Sequence, residues 1–189
     1  MAAITPSDRP YLRTSVWEVW KQRIPWLLLL MISATFTGMI ITGFEDALSK
    51  LVILTAYIPM LMDTGGNSGS QASVSVIRSL SLNEVEFKDV FRVLWKEFRV
   101  SILCGLSLAA VGFVKLMLLD QVGIQVALVV SVTLTLTVIA AKLIGCSLPL
   151  LAKKIGLDPA VCASPFITTM VDALSLLIYF GIATAVLHI

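Results

Sequence analysis

Apolar stretches about as long as a bilayer is thick, parted by short clusters of charge, constrain this chain more than any other feature it has. A hydrocarbon core about 30 Å thick takes roughly 20 helical residues to cross. The pattern predicts five such helices: Ile24 to Gly43, Leu51 to Ile77, Val100 to Leu119, Ile124 to Leu151, and Asp158-Pro159 to the carboxyl end. With 58% apolar residues, 14% charged and a mean hydropathy of +0.95, a soluble globular domain is excluded and the bilayer is the solvent. The reading is all-α: a polytopic integral membrane protein with five transmembrane helices in residues 24–189, preceded by a cytosolic segment, residues 1–23. That segment is polar and holds two prolines and two tryptophans, unlike a cleaved signal peptide, so the first span is expected to stay.

Basic residues set the expected orientation. Arg9, Arg13, Lys21 and Arg23 precede the first span, Arg78, Lys88, Arg92, Lys96 and Arg99 lie between the second and third, and Lys153 and Lys154 between the fourth and fifth. The opposite loops hold Lys50 and little else, which puts the amino terminus in the cytoplasm and the carboxyl terminus outside. The localisation implied is a cell membrane crossed several times, and the net charge of +2 implies no nucleic-acid partner. Between the second and third spans, residues 78–99 read as an amphipathic helix on the cytosolic face. Phe87, Val90, Phe91, Leu94 and Phe98 form one side, Lys88, Arg92, Lys96 and Arg99 the other, and Ser81 with Glu84 offers a capping box at its start.

Ionisable groups deep in a span cost a few kcal/mol to bury and are functional by default. Here they are Asp63, Lys142 and Asp172. On the fifth span Ser164, Thr168, Asp172, Ser175 and Tyr179 recur at helical spacing, flanked by Thr169; on the second, Asp63, Asn67, Gln71, Ser75 and Arg78 do the same. A polar stripe facing lipid is unsatisfied, so each must face protein or water. Between Asp63 and Gln71 the second span is interrupted by its least lipid-like stretch. Gly65 with Gly69, and Gly66 with Ser70, suit either close helix packing or a backbone opened toward a cation. Oxygen-rich stripes with few acids suit a hard cation: Mg²⁺ keeps several waters and takes one or two carboxylates. A single chain gives a meagre lining, whereas a twofold homodimer doubles every stripe around one axis. Asp172 then carries the ion, while Asp63 and Lys142 form either a structural ion pair or part of the path.

Cys104, Cys146 and Cys162 sit in apolar segments without metal-binding spacing and read as core residues, and His188 reads as interfacial. Asp63-Thr64-Gly65 spells an aspartic protease triplet, and Asp172 offers a second acid, so an intramembrane aspartyl enzyme is one alternative. A membrane scaffold that conducts nothing is the other.

Pro59, then Gly65 through Gln71, and Arg78 resemble the second span of the MgtE magnesium channels and transporters. Gly156 through Ala160, Ser164-Pro165, Thr168-Thr169, Asp172 and Leu176 through Phe180 are similar to that family's fifth span. Tyr11 through Trp17 and Arg23 through Trp26 look like its linker helix and the start of its first span. The resemblance implies a homodimeric pore carrying hydrated Mg²⁺ and other divalent cations into the cytosol, with Mg²⁺ both bound and transported, and no enzymatic activity. It implies that Asp172 and Thr168 hold the ion, that Ser164 lines the path, and that Asn67 and Gly66 support it from the second span. Members usually carry a cytosolic helical domain and paired CBS domains, so this sequence corresponds to the transmembrane part. Lys142 departs from the family's pattern.

Overall fold

The computed structural model describes residues 11–188, excluding the side chains of residues 160–165. It is all-helical, with no strand among the described residues: α1 Val16–Gly43, α2 Glu45–Lys50, α3 Ile58–Ser81, α4 Val90–Leu118, α5 Ile124–Lys154 and α6 Pro159–Leu187. A 3₁₀ stretch, Val52–Tyr57, leads into α3.

Helix α5 is the centre of the bundle, packed against α3, α4 and α6; α3 also packs on α6, and α1 leans chiefly on α6. Burial follows this order. Val129, Val130, Leu134, Val138 and Ala141 of α5 are buried, whereas α1 exposes Leu27, Leu28, Met31, Ile32, Phe36 and Met39 as a lipid-facing helix does. Phe44 stacks on Phe180 with ring centroids 4.7 Å apart, and Trp26 meets Phe166 edge-on at 5.9 Å, which ties both ends of α1 to α6.

Small residues bring α3 against its neighbours. A Cβ at Gly145 of α5 would collide with the Gly69 carbonyl oxygen, and one at Gly65 would lie 2.7 Å from Thr137 Cγ2 and 2.8 Å from Val171 Cγ1. Gly65, Gly69 and Gly145 are therefore packing glycines, the first of the two roles the spacing allowed.

Several boundaries differ from the sequence reading. Helix α1 starts at Val16, well before Ile24, because Ser15 and Glu18 form a capping box: the Glu18 N–H donates to Ser15 Oγ and the Ser15 N–H to Glu18 Oε2, both at 3.3 Å. Pro25 thus lies inside the helix. The stretch Asp63 to Gln71 does not interrupt α3, which stays α-helical throughout.

The connection at 78–99 is not a separate helix. Helix α3 runs to Ser81, whose hydroxyl donates to the Ile77 carbonyl rather than capping a new start. The chain turns at Glu86, whose N–H donates to Asp89 Oδ2 at 3.2 Å, and α4 then continues unbroken from Val90 through the third apolar segment. Its first turns fold inward because Phe87, Val90, Val93 and Leu94 pack on a core of Ala72, Val76, Leu80, Cys146 and Leu150. Phe91, expected on that side, is 80% exposed. Two basic residues at the end of α5 fasten this corner: Lys153 Nζ donates to the Leu80 carbonyl at 3.2 Å, and Lys154 Nζ sits 4.3 Å from the Phe87 ring centroid.

Among the described residues, four helical segments are long and apolar enough to cross a membrane: Val16–Gly43, Phe87–Leu118, Ile124–Lys154 and Phe166–Leu187. Helix α3 does not join them, because its polar stripe dilutes its hydropathy. At 24 residues it still measures about 36 Å.

Candidate functional site

Helix α3 turns two different faces to its surroundings. Gly65, Gly66, Ser68, Gly69, Ala72 and Ser73 are buried, while Asp63, Asn67, Gln71, Ser75 and Arg78 are all exposed. The stripe expected from the spacing exists, and within one chain it lies open.

Where this stripe meets α6, a cleft of about 420 Å³ opens, lined by Asp63, Gly66, Asn67, Thr168 and Asp172, with Ile58, Pro59 and Met62 at one end. Gly66 lets the helices close on the floor of the cleft: a Cβ there would stand 3.3 Å from Thr168 Cγ2. Asp172 is half-buried and Asp63 exposed, so one carboxylate sits within the cleft wall and the other at its open edge. The two acids, the Asn67 amide and the Thr168 hydroxyl give the cleft an oxygen-rich lining suited to a hydrated cation. Among the described residues no group of three or more His, Cys, Asp or Glu side chains converges on a point. This chain thus offers a few wall-mounted carboxylates rather than a closed cage.

Five sequence-predicted residues come together here: Asp172, Thr168, Asn67, Gly66 and Asp63. Ser175 does not join them. It is 1% exposed, its hydroxyl donates to the Val171 carbonyl at 2.6 Å, and its oxygen lies 3.1 Å from where a Gly65 Cβ would stand. The slow rotation of the stripe around α6 carries Ser175 into the helix contact. Tyr179, next along, is fully buried and donates to the Leu54 carbonyl at 2.9 Å, anchoring the 3₁₀ stretch. Thr169 is half-buried and does not line the cleft, and the Ser164 side chain lies outside the described residues.

A second cleft, about 550 Å³, opens on the other side of α3, between α3, α4 and α5. Asp63, Thr64, Asn67, Ser68, Gln71, Ser107 and Lys142 line it. Asp63 and Lys142 share this space, yet no ion pair within 4 Å joins them in this structure. Sequence reasoning attached Asp63 to Lys142 in the transport reading and joined it to Asp172 only in the enzyme alternative. Its spacing of four from Asn67 was the available signal.

Beyond the clefts, a small cluster fixes the far end of the bundle. Lys115 Nζ donates to Asp120 Oδ2 at 2.6 Å, and the Tyr57 hydroxyl donates to the same oxygen at 3.2 Å. The Lys115 ammonium, chiefly, holds the Asp120 carboxyl below its ordinary range, with the Tyr57 hydroxyl adding to it and partial burial opposing both. Tyr57 directly precedes Ile58 and Pro59, so this cluster sets where the mouth of the first cleft begins.

Residues 58–182 match the MgtE family model, described as a divalent cation transporter. Three curated relatives carry the name magnesium transporter MgtE. The one from Bacillus subtilis is 41% identical over 88% of this chain and 37% of its own length. That from Thermus thermophilus is 35% identical over the whole chain and 41% of its own length, and that from Enterococcus faecalis is 32% identical over 86% and 36%. The chain therefore spans about two fifths of the length of these relatives. Two carboxylates in one cleft also suit an aspartyl dyad, but the matched family is one of transporters and not of enzymes. With its membrane-length apolar helices and a match covering both walls of the oxygen-lined cleft, this integral membrane chain belongs to the MgtE family of divalent cation transporters.

Proposed function

We propose that the chain forms the conducting part of a Mg²⁺ channel, in which two copies meet so that their α3–α6 clefts face one another across a shared axis. Asp172 is the main carboxylate for the hydrated ion, Thr168 and Ser164 line the route on α6, and Asn67 and Gly66 line it on α3. In this reading α3 is the fifth span, the amino terminus is cytosolic and the carboxyl terminus external.

One observation carries the proposal: the exposed residues Asp63 and Asn67 of α3 stand beside Asp172 and Thr168 in an open cleft. In hydrocarbon such a surface is unsatisfied, and a partner subunit with water between satisfies it. A twofold arrangement supplies two Asp172 carboxylates to one ion, matching the charge of Mg²⁺ without stripping its waters. An inside-negative potential then drives entry, with about 2.3 kcal/mol per elementary charge per 100 mV. The names of the bacterial relatives supply the ion.

The test is flux through purified protein in liposomes loaded with a Mg²⁺-sensitive dye. The proposal requires protein-dependent Mg²⁺ entry that Asp172→Ala abolishes while the variant still elutes as a folded dimer. Equal entry through Asp172→Ala contradicts it.

A further inference from the structure

Lys142 is the buried charge that the proposed ion path does not use. It lies past the middle of α5 and is 5% exposed. No hydrogen bond or ion pair to another described residue satisfies its ammonium. A charge this deep without a partner costs a few kcal/mol, so it needs water or an electrostatic counterpart. The second cleft provides both, since it is roomy, open, and lined by hydroxyls, amides and the Asp63 carboxylate.

Among the described residues, only Asp63 and Asn67 line both clefts. Asp63 therefore stands on the edge between two spaces, with Asp172 on one side and the Lys142 ammonium on the other. A fixed positive charge in the second cleft offsets part of the pull that Asp63 exerts on a cation in the first, because their fields add at the ion. A conducting site must bind its ion firmly enough to admit it and weakly enough to release it.

We infer that Lys142 tunes ion release in transport: its fixed ammonium, set against Asp63, weakens the hold of the α3–α6 cleft on a divalent ion so that the ion is released. This rests on the transport reading above, and it gives the second cleft a role as the counter-charge compartment of the first. Lys142 touches neither ion nor path and acts by its field, set against that of Asp63.

The experiment pairs ion flux with a chemical probe that needs no transport. In liposomes, Lys142→Met should lower the half-saturating Mg²⁺ concentration by about tenfold, equivalent to about 1.4 kcal/mol, and reduce the maximal rate. Lys142→Arg should keep both near the unsubstituted values, and adding Asp63→Asn to Lys142→Met should bring half-saturation back up. A purely structural lysine predicts a lower rate with unmoved half-saturation, which overturns the inference.

For the probe, Cys104 lines the Lys142 cleft and is half-buried, while Cys146 is fully buried. With Cys146 and Cys162 replaced by alanine, Cys104 should react with small anionic and cationic methanethiosulfonates. The anion-to-cation rate ratio should fall several-fold in Lys142→Met and rise in Asp63→Asn. Asp63→Asn shows that Cys104 senses the charge of the cleft, and Lys142→Gln, which removes the ammonium but keeps a polar side chain, carries the Lys142 arm where Lys142→Met does not fold. An unreactive Cys104, or a ratio indifferent to Asp63→Asn, overturns the inference. If unsubstituted protein passes no Mg²⁺, the transport reading has failed, and the Cys104 rates still judge the cleft.

Discussion

The carboxylates of Asp63 on α3 and Asp172 on α6 line a single cleft, brought there because Gly66 lets the two helices close against Thr168. Their different burial predicts different consequences of removal. Asp172, half-buried in the wall, should be indispensable, and Asp172→Ala should abolish Mg²⁺ flux. Asp63, exposed at the edge, should be tunable: Asp63→Asn should raise half-saturation by about tenfold while leaving measurable transport. Dose–response curves of liposome flux check both.

The contact between Gly69 and Gly145 predicts a stability effect. A methyl at Gly145 meets a backbone oxygen that cannot rotate away, so Gly145→Ala should destabilise by about 1–3 kcal/mol. In a thermal melt in detergent that reads as a loss of about 2–4 °C for each kcal/mol. Gly181→Ala, inside α6 at a glycine with open space around it, should not lower the midpoint.

The Tyr179 hydroxyl bonded to the Leu54 carbonyl predicts that the 3₁₀ stretch depends on α6. Tyr179→Phe leaves that buried carbonyl without its donor and should cost about 1 kcal/mol. Faster amide exchange confined to Val52–Tyr57 and the first turn of α3 should accompany it, read by hydrogen–deuterium exchange mass spectrometry.

Asp120 predicts a pH dependence. Its folded-state pKa is lowered, first by the Lys115 hydrogen bond and then by Tyr57. The stabilisation is therefore fully present above the ordinary carboxylate range and is lost as pH falls through the lowered folded value, which places the window below about pH 4. Asp120→Asn should melt earlier than the unsubstituted protein at neutral pH, and the gap should close as pH is lowered through that window.

Much of this was legible in the sequence, and what was missed has identifiable causes. The apolar runs gave every long helix, and the spacing of Asp63, Asn67 and Gln71 gave the exposed stripe of α3. Helix starts were harder: Ser15 with Glu18 begins α1 earlier than hydropathy alone suggests, and Phe87, Val90 and Leu94 fold the 78–99 connection into α4 because a core exists beneath them. Ser175 shows the limit of reading one helix alone. It shares a stripe with Asp172, but only the position of Gly65 on another helix decides that it is buried. Asp63 illustrates the converse: Asp172, which lines the same cleft, lies on a helix far away in sequence, and only the shared stripe with Asn67 pointed toward that cleft.

The central claim is that a divalent ion is held at Asp172 where two copies meet. Anomalous diffraction from crystals soaked in Mn²⁺, a divalent substitute with a strong signal, tests it most directly. The account predicts a peak on a twofold axis between two Asp172 side chains, lost in Asp172→Ala. Asp172 carboxylates facing away from any second copy, with the peak elsewhere and undisturbed by the substitution, would contradict it.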